Sequence, residues 1–201
     1  MAKNHVMLDI ETLDLKPTAA VLSIAATFFD PLTGELGDSF NEQINLKSCT
    51  DLGLTVDPET IMWWMDQSKD AQNAFKGNNK AASLSEVLLK FHQWMDVRRK
   101  ALTAAGEDGI SVWGNGKDFD CVIVENAYRV AGIKHLRPWA FWETMDVRTL
   151  VELGAMAGTH NFKKITLDNF HGVKHNALDD VRNQIKYVVA YMQALVGKKE
   201  D

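Results

Sequence analysis

The chain has 201 residues, a formal net charge of −5, 46% hydrophobic residues and 24% charged residues. This composition predicts a folded globular protein with a substantial core and excludes a disordered or fibrous chain. The negative charge argues against a protein that coats long duplexes, but not against local binding of a strand end. The only cysteines, Cys49 and Cys121, belong to no C-x-x-C or Cys/His cluster, so neither a disulfide framework nor a structural zinc is expected.

No segment resembles a signal peptide, and no apolar run approaches the length needed to cross a membrane. We therefore expect a soluble cytoplasmic protein that makes no contact with a membrane. The chain contains no repeat, low-complexity tract or linker, which predicts a single domain over residues 1–201.

The first third of the chain predicts three strands joined by short connections. Residues 5–12 and 20–29 are largely apolar, and residues 30–34 have the composition of a turn. Residues 39–46 alternate, with Phe40, Ile44 and Leu46 on one face. Such alternation is typical of an antiparallel strand with one wet face, so an antiparallel meander is expected.

The rest of the chain predicts helices with two further strands. Asp57 and Pro58 begin one helix as N-cap and first residue, and Ser83 with Glu86 forms a capping box at the start of another, which ends near residue 102. The remaining predictions are a short helix over 70–75, a strand over 110–113, a helix over 117–131, a strand and helix start within 139–150, a loop-rich segment over 160–175, and a final helix over 176–195. This order predicts an α/β fold in which helices flank a mixed sheet of three antiparallel strands followed by parallel strands.

Two carboxylates stand at the end of the first strand. Asp9 and Glu11 lie two positions apart, so they share one face, while Val6, Leu8 and Ile10 share the other. Two like charges at the end of a buried strand repel each other, and a divalent cation would remove the conflict. The alternative is a strand end that simply reaches solvent.

Helical periodicity selects one aspartate from each of two later pairs. Asp120 borders an apolar stripe, whereas Asp118 points outward in the position of a helix cap. In the last helix Asp180 lies at the edge of the core stripe and Asp179 faces solvent. The stripes are Phe119, Ile123, Ala127 and Val130 in the first helix, and Leu178, Val181, Ile185, Val188 and Met192 in the second.

These residues predict a site for two metal ions. Four carboxylates, Asp9, Glu11, Asp120 and Asp180, would destabilise a fold unless cations bound between them. Two divalent ions about 4 Å apart suit in-line attack on a phosphodiester, with one ion activating water and the other stabilising the leaving oxygen. His175, five residues before Asp180, is placed to take the proton of the water.

Three segments of the sequence resemble the motifs of DEDDh-type 3′–5′ exonucleases, the DnaQ-like branch of the ribonuclease H-like fold. They are Asp9-Ile10-Glu11-Thr12, Asn115-Gly116-Lys117-Asp118-Phe119-Asp120 and His175-Asn176-Ala177-Leu178-Asp179-Asp180. Thr60-Ile61-Met62-Trp63-Trp64 with Gln67-Ser68 is further similar to short phage, prophage and mycobacterial members.

The resemblance implies a role for each of these residues. Asp9 would bridge two Mg²⁺ or Mn²⁺ ions, Glu11 and Asp180 would complete one metal site, Asp120 would bind the other ion, and His175 would be the general base. His171 competes with His175, but its spacing to Asp180 does not fit the motif.

The implied reaction is metal-dependent hydrolysis at the 3′ end of single-stranded DNA or RNA, with release of nucleoside 5′-monophosphates. The resemblance adds Thr12 and Leu13 as contacts of the terminal nucleotide. Trp63 and Trp64 are candidates for base stacking, with core and rim packing as the alternative. Lys117, Lys163, Lys164 and Lys174 are candidates for phosphate contacts or plain solvated lysines.

Two other functions stay open at this point: a nuclease-like binding module without catalysis, and a hydrolase of very short oligonucleotides or small phosphodiesters. RNA and DNA are not distinguished either, because that choice rests on contacts to one 2′-hydroxyl. A homodimer is a further option, with Trp139 and Trp142 as candidate exposed aromatic residues of its interface.

Overall fold

A mixed five-stranded sheet organises the described part of the chain, residues 4–107 and 109–196 of a computed structural model. The strand order is β3-β2-β1-β4-β5; β1 pairs antiparallel with β2 and parallel with β4, so the predicted α/β architecture is confirmed. The strands are β1 (His5–Thr12), β2 (Val21–Phe29), β3 (Leu36–Gln43), β4 (Ser111–Gly114) and β5 (Thr144–Asp146).

Helices lie between the strands and after them. The α-helices in the described residues are α1 (Leu46–Asp51), α2 (Pro58–Met65), α3 (Lys69–Gln72), α4 (Leu84–Ala104), α5 (Lys117–Val130), α6 (Val147–Met156), α7 (Phe162–Asp168) and α8 (Ala177–Val196). The Asp57 side chain accepts a hydrogen bond from the N–H of Thr60, and Ser83 and Glu86 close the predicted capping box, so both predicted helix starts are confirmed.

The two faces of β1 pack against different helices. Val6, Leu8 and Ile10 belong to the core that includes α4 and α5. Met7 belongs to a second core built around α8 and α6. Because side chains alternate along a strand, Asp9 and Glu11 point to the α8 side of the sheet, as predicted.

Short helices account for most errors in the predicted elements. Residues 39–46 were predicted as one strand, but β3 ends at Gln43, and Leu46 begins α1 because Asn45 caps that helix through the N–H of Ser48. The segment 160–175 was predicted as loop, but Asn161 caps α7. The predicted helix 70–75 is divided between α3 and a 3-10 turn, Asn73–Phe75.

The prediction for Trp139 is wrong. Its side chain is 4% exposed and packs in the main core, so it is not a surface aromatic. Trp142 is 73% exposed and lies beside Phe141, which is 75% exposed.

Cys49 and Cys121 are both free and buried. Within the described residues, no helix is both long enough and apolar enough to cross a membrane.

Candidate active site

The end of β1 presents Asp9 and Glu11. The pairing of β1 with β2 is regular from His5 to Glu11 and shifts register between Glu11 and Thr12. Glu11 is 9% exposed, and Asp9 keeps some access to solvent although protein surrounds it on most sides. The strand therefore ends with two carboxylates held inside the molecule rather than with a solvated terminus.

Asp120 approaches the same place from the start of α5. It is 4% exposed, as the helical periodicity predicted. A Cβ atom on Gly114, the last residue of β4, would lie 3.1 Å from Oδ2 of Asp120 and 3.1 Å from the Cα of Lys117. The absence of a side chain at Gly114 thus makes the space in which the Asp120 carboxylate lies.

The first two turns of α8 contribute Asp180 and Gln184. Nε2 of Gln184 donates a 2.7 Å hydrogen bond to Oδ1 of Asp9. Oε1 of Gln184 is buried and has no partner within the described protein. Gln184 was not predicted from the sequence, although its position, one helical turn after Asp180 on the same face, was a signal for it.

His175 lies at the junction between a loop and α8. Its φ is 64°, and its backbone N–H donates a 2.8 Å hydrogen bond to Oδ2 of Asp180. Its ring contacts Trp63 edge-on, with the centroids 4.8 Å apart, and lies 6.2 Å from the ring of Trp64. One possible ligand atom from each of Glu11, His175 and Asp180 lies within 4.8 Å of the others, so these three predicted residues do converge.

Burial and mutual repulsion make the four carboxyl groups hard to ionise without a cation. Burial raises the pKa of Asp9 well above its usual range, and Asp120, Glu11 and Asp180 raise it further, while the hydrogen bond from Gln184 lowers it. Burial raises the pKa of Glu11 to about 8, of Asp120 to about 7 and of Asp180 to about 6. This electrostatic strain fits a cluster that binds divalent cations, and so does the buried oxygen of Gln184 that has no partner.

His175 has the opposite shift. Burial lowers the pKa of its imidazole below the usual value, and the neighbouring Lys174 lowers it further. The ring is therefore neutral at pH 7, the state in which an imidazole accepts a proton.

The other aspartate of each pair has a structural role. Asp118 is exposed and forms an ion pair with Lys117, but the N-cap of α5 is Gly116, so the predicted capping position is wrong. Asp179 was predicted to face solvent, but its carboxylate is engaged within the protein. Its Oδ2 accepts a 2.9 Å hydrogen bond from the N–H of Val173, which ties the loop before His175 to α8.

A cavity of about 440 Å³ opens beside Glu11. Its lining residues are Ile10, Glu11, Thr12, Leu15, Asp57, Glu59, Thr60, Trp63, Trp64 and Phe119. Leu15, 74% exposed, and Phe119 lie at this cavity and were not predicted as contacts. Both residues lie in or near the first two motifs in the sequence, and this proximity could have identified them.

The four predicted substrate contacts are placed differently from one another. Trp63 is 44% exposed, whereas Trp64 is buried and its Nε1 donates a 3.0 Å hydrogen bond to the carbonyl of Thr12. The hydroxyl of Thr12 is engaged with the carbonyl of Asp14 at 2.8 Å. Leu13 is 6% exposed and packs with Trp64 in a small buried cluster, which makes it a packing residue.

A family model described as the Rv2179c-like 3′–5′ exoribonuclease domain matches residues 4–192. The chain belongs to this family. An exodeoxyribonuclease of enterobacteria phage T4 is 27% identical over 214 residues, covering 94% of this chain and 90% of that protein. The protein is thus a 3′–5′ exonuclease, and the activity that the resemblance implied is confirmed.

Solved structures of other proteins, among them exonucleases, share the fold. The nuclease domain of 3′hExo, a DEDDh family member bound to rAMP, has a TM-score of 0.62 and 18% identity, covering 95% of this chain and 92% of that one. Pop2p of S. pombe, in its Mg²⁺- and Mn²⁺-bound form, has a TM-score of 0.61 and 10% identity, covering 98% of this chain and 86% of that one. Exonuclease I of E. coli, in complex with a dA13 oligonucleotide, has a TM-score of 0.64 and 13% identity, covering 96% of this chain and 41% of that one. The predicted ribonuclease H-like fold is therefore confirmed.

Proposed function

We propose that this DEDDh exonuclease hydrolyses phosphodiesters from the 3′ end of a single strand by a two-metal-ion mechanism and releases nucleoside 5′-monophosphates. The observation that carries the proposal is the convergence of Glu11, His175 and Asp180 within 4.8 Å, beside the buried carboxylates of Asp9 and Asp120. We also propose that residues 1–201 form one exonuclease domain. We place the protein in the cytoplasm, because both cysteines are free.

The carboxylates divide between two cation sites in this proposal. Asp9, Glu11 and Asp180 would hold one Mg²⁺ or Mn²⁺ ion, and Asp9 with Asp120 would hold the other. Bound divalent ions would lower the pKa of a coordinated water and stabilise charge on the leaving oxygen. Hard carboxylate oxygens are the ligands that such ions prefer, and metal binding would remove the repulsion that raises the pKa of these groups.

His175 takes the proton of the attacking water. Its imidazole is neutral at pH 7, and contact with the rings of Trp63 and Trp64 fixes its orientation. The hydrogen bond from its own N–H to Asp180 keeps the base next to a metal ligand. Gln184 acts as a positioning residue, since its amide orients the carboxylate of Asp9.

The 3′-terminal nucleoside occupies the cavity of about 440 Å³ that includes Glu11. The partly exposed ring of Trp63 offers a surface for base stacking. A single strand fits this arrangement because an unpaired base can enter a side cavity. Similar structures include E. coli exonuclease I with a dA13 oligonucleotide and a 3′-exonuclease that recognises the 3′ end of a histone mRNA stem-loop.

The decisive experiment is a side-by-side assay on RNA and DNA single strands of one sequence with a 3′ label, in Mn²⁺ or Mg²⁺. We expect monophosphate release that stops with EDTA and in Asp9→Asn, and the faster strand identifies the substrate. Binding without release in every metal would instead indicate an inactive binding module. Activity confined to dinucleotides would indicate an oligonucleotide hydrolase.

Asp120 and Asp118 provide a matched pair for the metal assignment. We expect Asp120→Asn to lower kcat by at least roughly 100-fold, because a buried metal ligand is lost. Asp118→Asn, two residues away on the exposed side of α5, should keep the wild-type rate. Equal rates for the two variants would contradict the assignment of Asp120 to a metal ion.

A further inference from the structure

Two cationic side chains converge on Asn115, the residue that follows β4. Nε of Arg148 donates a 3.1 Å hydrogen bond to the carbonyl of Asn115. Nζ of Lys163 lies 3.4 Å from Oδ1 of Asn115, which the hydroxyl of Tyr187 also approaches at 3.3 Å. Residues from α6, α7 and α8 are thus brought together at the end of one strand, although they are far apart in the sequence.

Within the described residues neither cation forms a close ion pair, although Arg148 interacts electrostatically with Asp120 and Lys163 with Asp146. In the described ranges, no carboxylate oxygen lies within 4.0 Å of the charged nitrogens of Arg148 or Lys163. Asp146 is nearby, but its Oδ2 and Oδ1 accept hydrogen bonds from the N–H groups of Lys117 and Thr149.

Burial makes this arrangement costly when no anion is present. Lys163 is half-buried, and its pKa is lowered by burial and by the positive charge of Arg148. Two like charges held together in a partly buried place are stabilised when an anion binds between them. A phosphate group meets this requirement, because a guanidinium and an ammonium both bind its oxygens.

Arg148 lines a second cavity next to the acidic site, and Lys163 lies beside Arg148 at Asn115. Its volume is about 560 Å³, and its lining residues are Gly116, Lys117, Asp118, Phe119, Asp146, Arg148 and Thr149. Phe119 lines this cavity and also the cavity that contains Glu11. A Cβ atom on Gly116 would lie 3.0 Å from the guanidinium of Arg148, so glycine is what allows Arg148 to lie against this backbone.

We propose that Arg148 and Lys163 bind the backbone phosphate that precedes the scissile phosphate on its 5′ side. The inference rests on the proposed function, which places the terminal nucleoside on the Glu11 side of Phe119. The strand then continues across Phe119 into the second cavity, where its next phosphate meets the two cations. This site gives the enzyme a preference for substrates with at least two consecutive phosphates.

Two dinucleotides that differ by one phosphate test this proposal. The adenosine dinucleotide without a 5′-phosphate contains only the scissile phosphate, whereas the 5′-phosphorylated form also contains the preceding one. We expect the wild-type enzyme to have a roughly 10- to 100-fold higher kcat/KM on the phosphorylated form. The Arg148→Gln/Lys163→Gln double variant should lose this preference, so that its kcat/KM is the same on the two dinucleotides.

Control variants separate charge from structure. Lys163→Arg should retain the preference for the phosphorylated substrate, and Lys47→Gln, which alters an exposed lysine paired with Asp51, should behave as wild type. A double variant that loses activity equally on both dinucleotides, or that keeps the preference, would overturn the proposal. Thermal unfolding of each variant shows whether a loss of rate reflects a loss of fold.

A binding measurement with the same dinucleotides distinguishes this proposal from the proposed function. The assay on labelled single strands tests the hydrolytic function separately. If the wild type cleaves neither dinucleotide, titration still shows whether the 5′-phosphate increases affinity. Tighter binding of the phosphorylated form by the wild type, and not by the double variant, supports the phosphate site. Equal affinities in the wild type would overturn it whether or not the protein is a hydrolase.

Discussion

His175 combines a chemical role with an uncommon backbone conformation. Its φ of 64° lies in the left-handed region, which asparagine and glycine adopt more readily than alanine does. Its N–H, which any residue except proline supplies, holds Asp180. A substitution that removes the imidazole and preserves the backbone therefore isolates the chemical role.

We expect His175→Asn to lower kcat by about 10²- to 10⁴-fold, the usual contribution of a general base. The variant should unfold at nearly the wild-type temperature, because asparagine accepts the left-handed conformation and the bond to Asp180 is kept. Steady-state kinetics on a 3′-labelled strand and thermal unfolding measure the two quantities. A full rate in His175→Asn would rule out the base assignment.

At the residue scale, helical periodicity selected the aspartates that reach the acidic site because that periodicity is regular. Asp120 and Asp180 were selected over Asp118 and Asp179 by their angles to an apolar stripe, and the structure places both beside the acidic site. The bond between Gln184 and Asp9 was not predicted, because it depends on how closely α8 approaches β1. The role of Asp179 in holding the loop was missed for the same reason.

At the element scale, α6 and α8 pack closely because Gly154 has no side chain. A Cβ atom at Gly154 would lie 2.4 Å from the ring of the buried Tyr191. Alanine in a helix is otherwise more favourable than glycine by about 1 kcal/mol. Helix propensity therefore favours alanine at position 154, whereas packing against Tyr191 favours glycine.

We expect Gly154→Ala to lower the free energy of unfolding, since overpacking costs about 1–3 kcal/mol and exceeds the gain in helix propensity. In a Tyr191→Leu background the same substitution should cost less, because the ring is absent and only Oγ1 of Thr159, 3.0 Å from the added Cβ, remains close. Urea unfolding of the four proteins in this double-mutant cycle measures both effects. An equal cost in both backgrounds would contradict the packing argument.

The short elements were the ones that the sequence did not predict. α1 has six residues and α7 has seven, too few to show an apolar periodicity, and each depends on an asparagine cap and on packing. By contrast, α4, α5 and α8 have long apolar stripes, and their predicted ends lie within two residues of those observed.

At the scale of the whole molecule, the acidic site opposes folding when no cation is bound. Between the unfolded pKa of about 4 and the raised folded values, the folded state of Glu11 and Asp9 binds more protons than the unfolded state. Stability therefore decreases as the pH rises through this range. His5 and His175, whose pKa values burial lowers, have the opposite effect, but only below about pH 6.5.

We expect the metal-free protein to be less stable at pH 8.5 than at pH 7, and Glu11→Gln to reduce that difference. Added Mn²⁺ should stabilise the protein, by about 2.7 kcal/mol at 100 times its Kd. At one fixed Mn²⁺ concentration the stabilisation should be larger at the higher pH, because fewer protons compete and the Kd is smaller. Thermal unfolding at both pH values, with EDTA or Mn²⁺, measures the effect. Equal stability at the two pH values without metal would argue against a repulsive cluster.

The overall topology followed from local patterns, because short turns predicted the antiparallel strands and the βα order predicted the parallel ones. The convergence of side chains at Asn115 did not follow from local patterns, since it joins residues at positions 115, 148, 163 and 187. Contacts at such separations depend on how the helices pack on the sheet, which no local pattern contains.

The segment between His171 and His175 is fixed at both ends by α8. Asn183 accepts a hydrogen bond from the N–H of His171 at 3.2 Å and donates to its carbonyl at 2.8 Å, while Asp180 holds the N–H of His175. Surface loops usually tolerate insertions and deletions. This one has a fixed length, because one residue more or fewer would move the imidazole away from Glu11 while the sheet and helices stayed intact.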